Sequence, residues 1–326
     1  MDQPLKFEDY TVAWIAVLPI EAKVAWNIFD HQHGQFETQK GDDYIYLGGD
    51  MNGHNIVLAT FPAGQNYGVG AAAALVNQVK MRFENIGFAL LVGVAAGLPN
   101  LSPKPGKKRH DIRLGDVLVC IPGQSSVGIV QYDLGKATEE GFSLNGRHAE
   151  TPAIVRSAIG NIQLTKNRPF KTDNIFSKYL AALQATLDDD DYACRSQKED
   201  QLFEVVMDED TPVMEGNKHK QKEVLREDRP ESERTQVWYG NIGSGNTLMK
   251  KPLLRDSLRD EHDLIGLEME AAGVMNTLPT GVIRGVCDYG DGLKNKDWQP
   301  YAAAVAAVYA KGILYTLKMK VPPAKS

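Results

Sequence analysis

The sequence predicts an α/β fold around a largely parallel or mixed sheet. Short apolar runs rich in β-branched and aromatic residues alternate with helical stretches of small residues along the chain. One run, "FALLVGVAAGLP" (88–99), is apolar without interruption, as expected of a strand covered on both faces.

The elements follow in order. Residues 11–18 read as a buried strand, with Pro19 marking the turn into a helix from about Ile20. "YIYLGGDMNGHNIVLATFP" reads as two strands about the tight-turn dipeptide Asn52-Gly53. "GVGAAAALVNQVKMRF" has the spacing of a helix, and "RLGDVLVCIP" reads as a strand. From about 186 to 234 the chain is charge-dense and poor in aliphatic residues, which predicts a surface insertion into a single domain. Order resumes at "TQVWYGNIGSG", followed by a strand "LIGLEMEA", a helix from Ala271, a strand "GVIRGVCDYGD" and a closing helix "YAAAVAAVYAKGILYTLK".

Composition excludes several classes. Over 326 residues the net charge is −6, so no global attraction to nucleic acid or an anionic membrane is implied. Three widely spaced cysteines, Cys120, Cys194 and Cys287, fit neither a disulfide framework nor a structural zinc site and suit a reducing cytoplasm. No apolar run reaches the about 20 residues of a membrane helix. The N-terminus lacks a signal-peptide core, and the seven histidines show no metal-ligand spacing, with His110 and His148 expected at the surface.

Chemistry is expected beyond the carboxyl ends of strands. Glu21 follows the first strand, Glu268 and Glu270 end a later one, and Asp288 and Asp291 end the strand from about Val282. In an extended strand Glu268 and Glu270 would share a face, with Met269 opposed. Such a pair can accept bonds from two adjacent hydroxyls, as in a ribose diol. It can equally bond backbone amides at a strand–helix junction, with one carboxylate supporting the other.

"IAVLPIEA", "LLVGVAAGL", "GLEMEAAGVM" and "RGVCDYGD", four motifs in this order along the chain, together resemble the purine nucleoside phosphorylase/nucleosidase superfamily. "VQYDLGK" and "CDYGDGLKNKDWQ" are spellings similar to its fungal-type nucleosidase domains, and the likeness covers most of 11–318 outside the charged insertion. The resemblance implies a mixed, barrel-like central sheet flanked by helices, and cleavage of the bond between a purine and C1′ of ribose. By matched position it implies that Glu270 binds the ribose diol and Met269 packs against sugar and base. By the same match it implies that Asp288 protonates, or shares a proton with, purine N7, and that Arg284 helps hold the nucleophile site. Leu248 matches a base-stacking phenylalanine, with Met249 beside it in the base pocket.

Phosphorolytic relatives carry an arginine at the position of Glu21, and a second arginine and a serine at those of Leu91 and Val94. A carboxylate and two apolar side chains here resemble the hydrolytic branch, in which Glu21 orients and deprotonates water. Nucleosidases often carry serines where this chain has Val94 and Cys287. The expectation is a purine nucleosidase acting on an adenine ribonucleoside or nucleotide (adenosine, AMP or ATP) without metal or organic cofactor, as a cytoplasmic homo-oligomer with no nucleic-acid or membrane partner. The alternatives are a phosphorylase with a rearranged phosphate site and a nucleoside-binding effector module of a larger receptor.

Other features have blander readings. Gly93 and Gly97 are expected to permit close backbone approach rather than bind phosphate. "KPGKKRH" (104–110) reads as a solvated loop, with nucleotide phosphates as the second reading. Cys287 reads as buried, Trp298 as a packing anchor, and Tyr132 and Asp133 as pocket candidates.

Overall fold

The first apolar run folds as β1 (Val12–Ile15), buried throughout, and Pro19 occupies the first position of α1 (Pro19–Ile28). There its fixed φ suits a helix start and its missing N–H costs nothing. A computed structural model describes residues 5–123, 128–139, 141–144, 150–165, 169–171, 174–205, 221–293 and 296–317. After α1 come β2 (His31–Gln35), β3 (Ile45–Met51) and β4 (His54–Thr60). Asn52 and Gly53 both have positive φ, 49° and 78°, as the expected two-residue hairpin turn requires. Then follow α2 (Val69–Arg82), β5 (Phe88–Gly97), β6 (Val117–Cys120), β7 (Ile129–Gln131), and the paired β8 (Gly135–Thr138) and β9 (Gly141–Leu144).

Two amphipathic helices, α3 (Ala153–Thr165) and α4 (Ile175–Leu187), come next, then the small hairpin β10 (Phe203–Val205) and β11 (Gln221–Glu223). The chain ends with β12 (Val237–Ser244), α5 (Pro252–His262), β13 (Leu264–Glu268), α6 (Ala271–Met275), β14 (Thr280–Asp288) and α7 (Gln299–Thr316).

The main sheet runs β13-β12-β6-β14-β5-β1-β4-β3-β2, and an additional β13–β5 pairing closes β13, β12, β6, β14 and β5 into a five-stranded barrel. The sheet is mixed: β14 runs parallel to β5 but antiparallel to β6, and β13 is antiparallel to β5. The α/β class, the single domain and the barrel-like sheet expected from the sequence are all present.

Helix α7 lies across β14 and β5. Between Pro300 and Leu314 every residue except Lys311 is buried, which is why this helix is apolar all round rather than on one stripe. Its small residues allow backbone contact with the sheet. A Cβ added at Gly285 of β14 would lie 1.9 Å from the Ala302 carbonyl oxygen of α7.

The charge-dense segment is more tightly attached than its composition suggests. Residues 206–220 of it lie outside the described residues, as does His148. Of the rest, Arg229 donates to the fully buried Asp116 at 2.6 and 3.0 Å. The Asp116 carboxyl also accepts from the Gln236 amide and the Trp238 indole, both at 2.8 Å. Asp116 thus has a countercharge and several donors, as a buried carboxylate requires.

Gly285→Ala is expected to lower unfolding free energy by about 1–3 kcal/mol through overpacking against backbone. Gly160→Ala, in α3 with open space around its Cβ position, should be stabilising by up to about 1 kcal/mol. Thermal unfolding of both variants checks this, and an unchanged midpoint for Gly285→Ala would contradict the packing.

Candidate active site

The register of the barrel sets the site. In the parallel β14–β5 pair Arg284 lies opposite Gly93, and the register shifts between Val286 and Asp288. In the antiparallel β13–β5 pair Leu267 lies opposite Ala96, one residue before Glu268 at the strand's end. Strand β1 pairs with β5 through Ile15–Leu91, bringing the start of α1 to the same end of the sheet. Glu21, Glu268, Glu270 and Asp288 are thereby brought to one cavity of about 370 Å³, within the range of small-molecule sites.

Arg284 is 1% exposed and lies behind the wall. Its Nη2 donates to Glu268 Oε2 and, at 3.0 Å, to Glu270 Oε2, while Nη1 lies 3.9 Å from Glu21 Oε1. Its Nε has no hydrogen-bond partner among the described residues. Arg284, expected to help hold the nucleophile site and counted among the substrate-binding candidates, lies behind the lining rather than in it. A cation whose charge is already countered by carboxyls is poorly placed to hold another anion. Gly93 makes the arrangement possible, because a Cβ there would lie 2.2 Å from Glu21 Oε1 and 2.6 Å from Arg284 Nη1. The close-approach reading of Gly93 holds, and that of Gly97 as well, with Val286 and Ile112 within 3 Å of its Cβ position.

Glu21 is the third residue of α1 and accepts from the Leu18 amide at 2.9 Å, the carboxylate half of a capping box. The same oxygen accepts from Val17 N–H at 2.9 Å, and Oε1 accepts from Val94 N–H at 2.8 Å. Burial raises its pKa against the opposing influence of Arg284 and these amides. Glu268 accepts from the amides of Glu270 and Ala271 at the start of α6, in addition to Arg284. This is the supporting, backbone-bonded arrangement anticipated as one of its two readings. The strand stops at Glu268, so Glu270 reaches the same guanidinium from the residue preceding α6 rather than by strict alternation.

Three buried carboxyls around one guanidinium cannot all ionise cheaply. The cost falls on Glu270, pushed up to about 8 by burial, offset by Arg284 and reinforced by Glu268 and Glu21. Asp288 is 4% exposed, with Oδ1 accepting from Gly290 N–H at 2.8 Å and Oδ2 receiving the Cys287 thiol at 3.3 Å. Cys287 is buried as expected.

Val94, Leu248, Met249 and Met269 all line the cavity, as does Tyr132. Tyr132 donates to the Thr247 carbonyl at 2.9 Å, and Asp133 accepts from Asn246 N–H at 2.7 Å, so "VQYDLGK" organises the loop bearing Leu248 and Met249. Asp291 accepts from Leu293 N–H at 3.0 Å, a turn role, and Trp298 is buried against Tyr301. The basic loop at 104–110 is not on the wall: Lys104 and Lys107 pair with Asp260 and Asp263 at 3.3 Å. The lysines that line the cavity are Lys250 and Lys296, which sequence reading passed over because neither belongs to a charge run.

Among the described residues no group of His, Cys, Asp or Glu could hold a metal ion, and no helix is long and apolar enough to cross a membrane.

The closed mixed barrel is that of the nucleoside phosphorylase/nucleosidase fold, which this chain carries, and Glu21, Glu268, Glu270 and Asp288 line its cavity. The chain is similar to 5′-methylthioadenosine/S-adenosylhomocysteine nucleosidase from Neisseria meningitidis, with 18% identity and a TM-score of 0.57 over 94% of this chain and 99% of that one. Futalosine hydrolase of Helicobacter pylori gives 15% and 0.57 over 94% and 98%. A putative methylthioadenosine/adenosylhomocysteine nucleosidase from Borrelia burgdorferi, bound to adenine, gives 12% and 0.60 over 94% and 100%. In sequence the chain is 36% identical over 308 residues to a nucleotide-binding leucine-rich repeat (NLR)-like protein of Hyaloscypha variabilis, matching 94% of this chain but spanning only 29% of that protein's length. No family model matches the sequence.

The raised pKa of Glu270 predicts a pH signature. A carboxyl that binds its proton more tightly when folded stabilises the fold fully below its ordinary value of 4.5, and this contribution is lost as pH rises to about 8. Across that window wild-type protein should lose stability relative to Glu270→Gln in urea unfolding. Parallel pH profiles would contradict it.

Proposed function

We propose that this chain is a purine nucleosidase that hydrolyses the N-glycosidic bond of an adenine ribonucleoside or nucleotide. The observation carrying this reading is that Glu21, Glu270 and Asp288 line one cavity whose adjacent guanidinium is already engaged by carboxylates. Phosphorolysis needs a cradle for a phosphate dianion at the reacting face of the sugar. A ring of carboxyls there repels such an ion and suits water. The names of the structural neighbours, nucleosidases and a hydrolase, one in complex with methylthio-immucillin-A and another bound to adenine, agree with this chemistry.

Each group then has a task. As the C1′–N9 bond breaks, its electron pair passes to the purine and the sugar becomes oxocarbenium-like. Asp288 donates a proton to N7, so that the base leaves neutral. Water adds to C1′ and yields its proton to Glu21. Oε1 of Glu21 holds one amide and the distant Nη1 of Arg284, leaving lone-pair capacity for that water. Glu270, protonated at neutral pH, can both donate to and accept from the ribose diol. Met269, Leu248 and Met249 supply the apolar surface for sugar and base. The products are free base and ribose, or ribose phosphate from a nucleotide.

Lys250 and Lys296 on the wall favour an anionic 5′ end. The NLR-like relative, of which this chain spans 29%, fits use of the same catalysis as one module of a longer receptor.

Chromatography of products from adenosine, inosine, AMP and ATP, each with and without phosphate, tests the proposal. Adenine release should be independent of phosphate and yield no ribose 1-phosphate. Asp288→Asn and Glu270→Gln should each lose about 10²-fold or more of turnover while remaining folded. Phosphate-dependent release, or undiminished turnover in either variant, would overturn it. Lys250→Ala/Lys296→Ala should raise KM for ATP more than for adenosine.

A further inference from the structure

The residue following the proposed general acid is held by a cluster to which nothing above gives a role. Tyr289 is 3% exposed, and its hydroxyl donates to Asp200 Oδ1 while accepting from Arg226 Nη2 at 3.0 Å. Asp200 and Arg226 both belong to the charge-dense segment, and both side chains are buried, 7% and 6% exposed. They pair with each other at 3.0 Å, and Arg226 also donates to the Asp200 carbonyl at 2.8 Å. From the opposite direction Arg255 of α5 donates to the Tyr289 carbonyl at 2.8 Å. Both ends of this one residue, which directly follows β14, are therefore fixed by other parts of the chain.

Its neighbours show what that fixation can do. Gly290, with φ of +65°, adopts a conformation suited to glycine and presents its N–H to Asp288 Oδ1 at 2.8 Å. A rotation of the backbone at Tyr289 would carry that N–H away from the carboxyl. We infer that Tyr289, held by Asp200 and Arg226, is a positioning residue that fixes the Asp288 carboxyl for proton transfer to the departing purine, making the charged segment a working part of the site. The inference rests on the role of Asp288 proposed above. Buried ion pairs are expensive unless well bonded. This one lies within the charged segment and reaches the acidic loop through the Tyr289 hydroxyl, and a displacement there of about 1 Å can cost on the order of 10²-fold in rate.

The experiment is steady-state kinetics of Tyr289→Phe, Asp200→Ala and their double variant on adenine release, with Asp288→Asn as control and circular dichroism as the check on folding. Tyr289→Phe removes one oxygen and leaves Asp200 paired with Arg226. Each single variant should lower kcat about tenfold at unchanged KM, and the double variant should fall no further, because both act through one linkage. Arg226→Lys should retain more kcat than Arg226→Ala. Wild-type kcat in folded Tyr289→Phe, a loss confined to KM, or additive losses would overturn the inference. If Tyr289→Phe does not fold, Asp200→Asn read in the same way decides the matter. An inactive Asp288→Asn beside a fully active Tyr289→Phe defeats this inference alone. An active Asp288→Asn defeats the functional reading and this inference with it.

Discussion

Arg284 is the constraint on which the site depends. One guanidinium, buried on β14 of the barrel, faces carboxyls from three places in the chain: Glu21 at the start of α1, Glu268 at the end of β13 and Glu270 before α6. Removing ions from water costs several kcal/mol each, and only close pairing and further hydrogen bonds offset it. The structure meets that demand unevenly. Glu268 has two amides and the guanidinium, Glu21 has three amides and a more distant guanidinium, and Glu270 holds its proton to about 8. Unequal satisfaction separates the carboxyls chemically, and the proposed function uses that separation, with one to support, one to accept a proton and one to meet hydroxyls.

The barrel is what allows the three to meet. Strand β5 pairs with β1, β14 and β13, so it touches each strand that bears or leads into one of the acidic site residues. The glycines in "LLVGVAAGL" keep its surface low enough for side chains from neighbouring strands to cross over it. The absence of a side chain at Gly93 is as much a part of the site as the presence of Glu21, since both Glu21 and Arg284 occupy space that any Cβ there would need. Packing and electrostatics are here one requirement.

Much of this was legible in the sequence, for definable reasons. Strand ends carrying isolated acids, the Asn52-Gly53 turn and the uninterrupted apolar run of β5 are local signals, and the fold honours each of them. Of the residues singled out, Glu21, Val94, Leu248, Met249, Glu268, Met269, Glu270 and Asp288 line the cavity, as does Tyr132, while Arg284 lies behind it and Asp133 is not on the wall. Helices α3, α4 and α5 were not singled out, since one-sided apolar patterns spread over eleven to thirteen residues stand out less than continuous runs. The anchoring of the charged segment was invisible for another reason. Arg229 and Asp116 are 113 positions apart, and Tyr289 and Asp200 are 89 apart. Composition reports that charges are present and says nothing of distant partners. Lys250 and Lys296 escaped likewise, being unremarkable singly and significant only by the cavity they line.

The most direct test of the central claim is infrared spectroscopy in the carbonyl region, comparing wild-type protein with Glu270→Gln at neutral pH and above. The account predicts the C=O stretch of a protonated, buried carboxyl in the wild type, missing from the variant and fading as pH passes about 8. Spectra identical between the two proteins, with every carboxyl near Arg284 ionised at neutral pH, would contradict it.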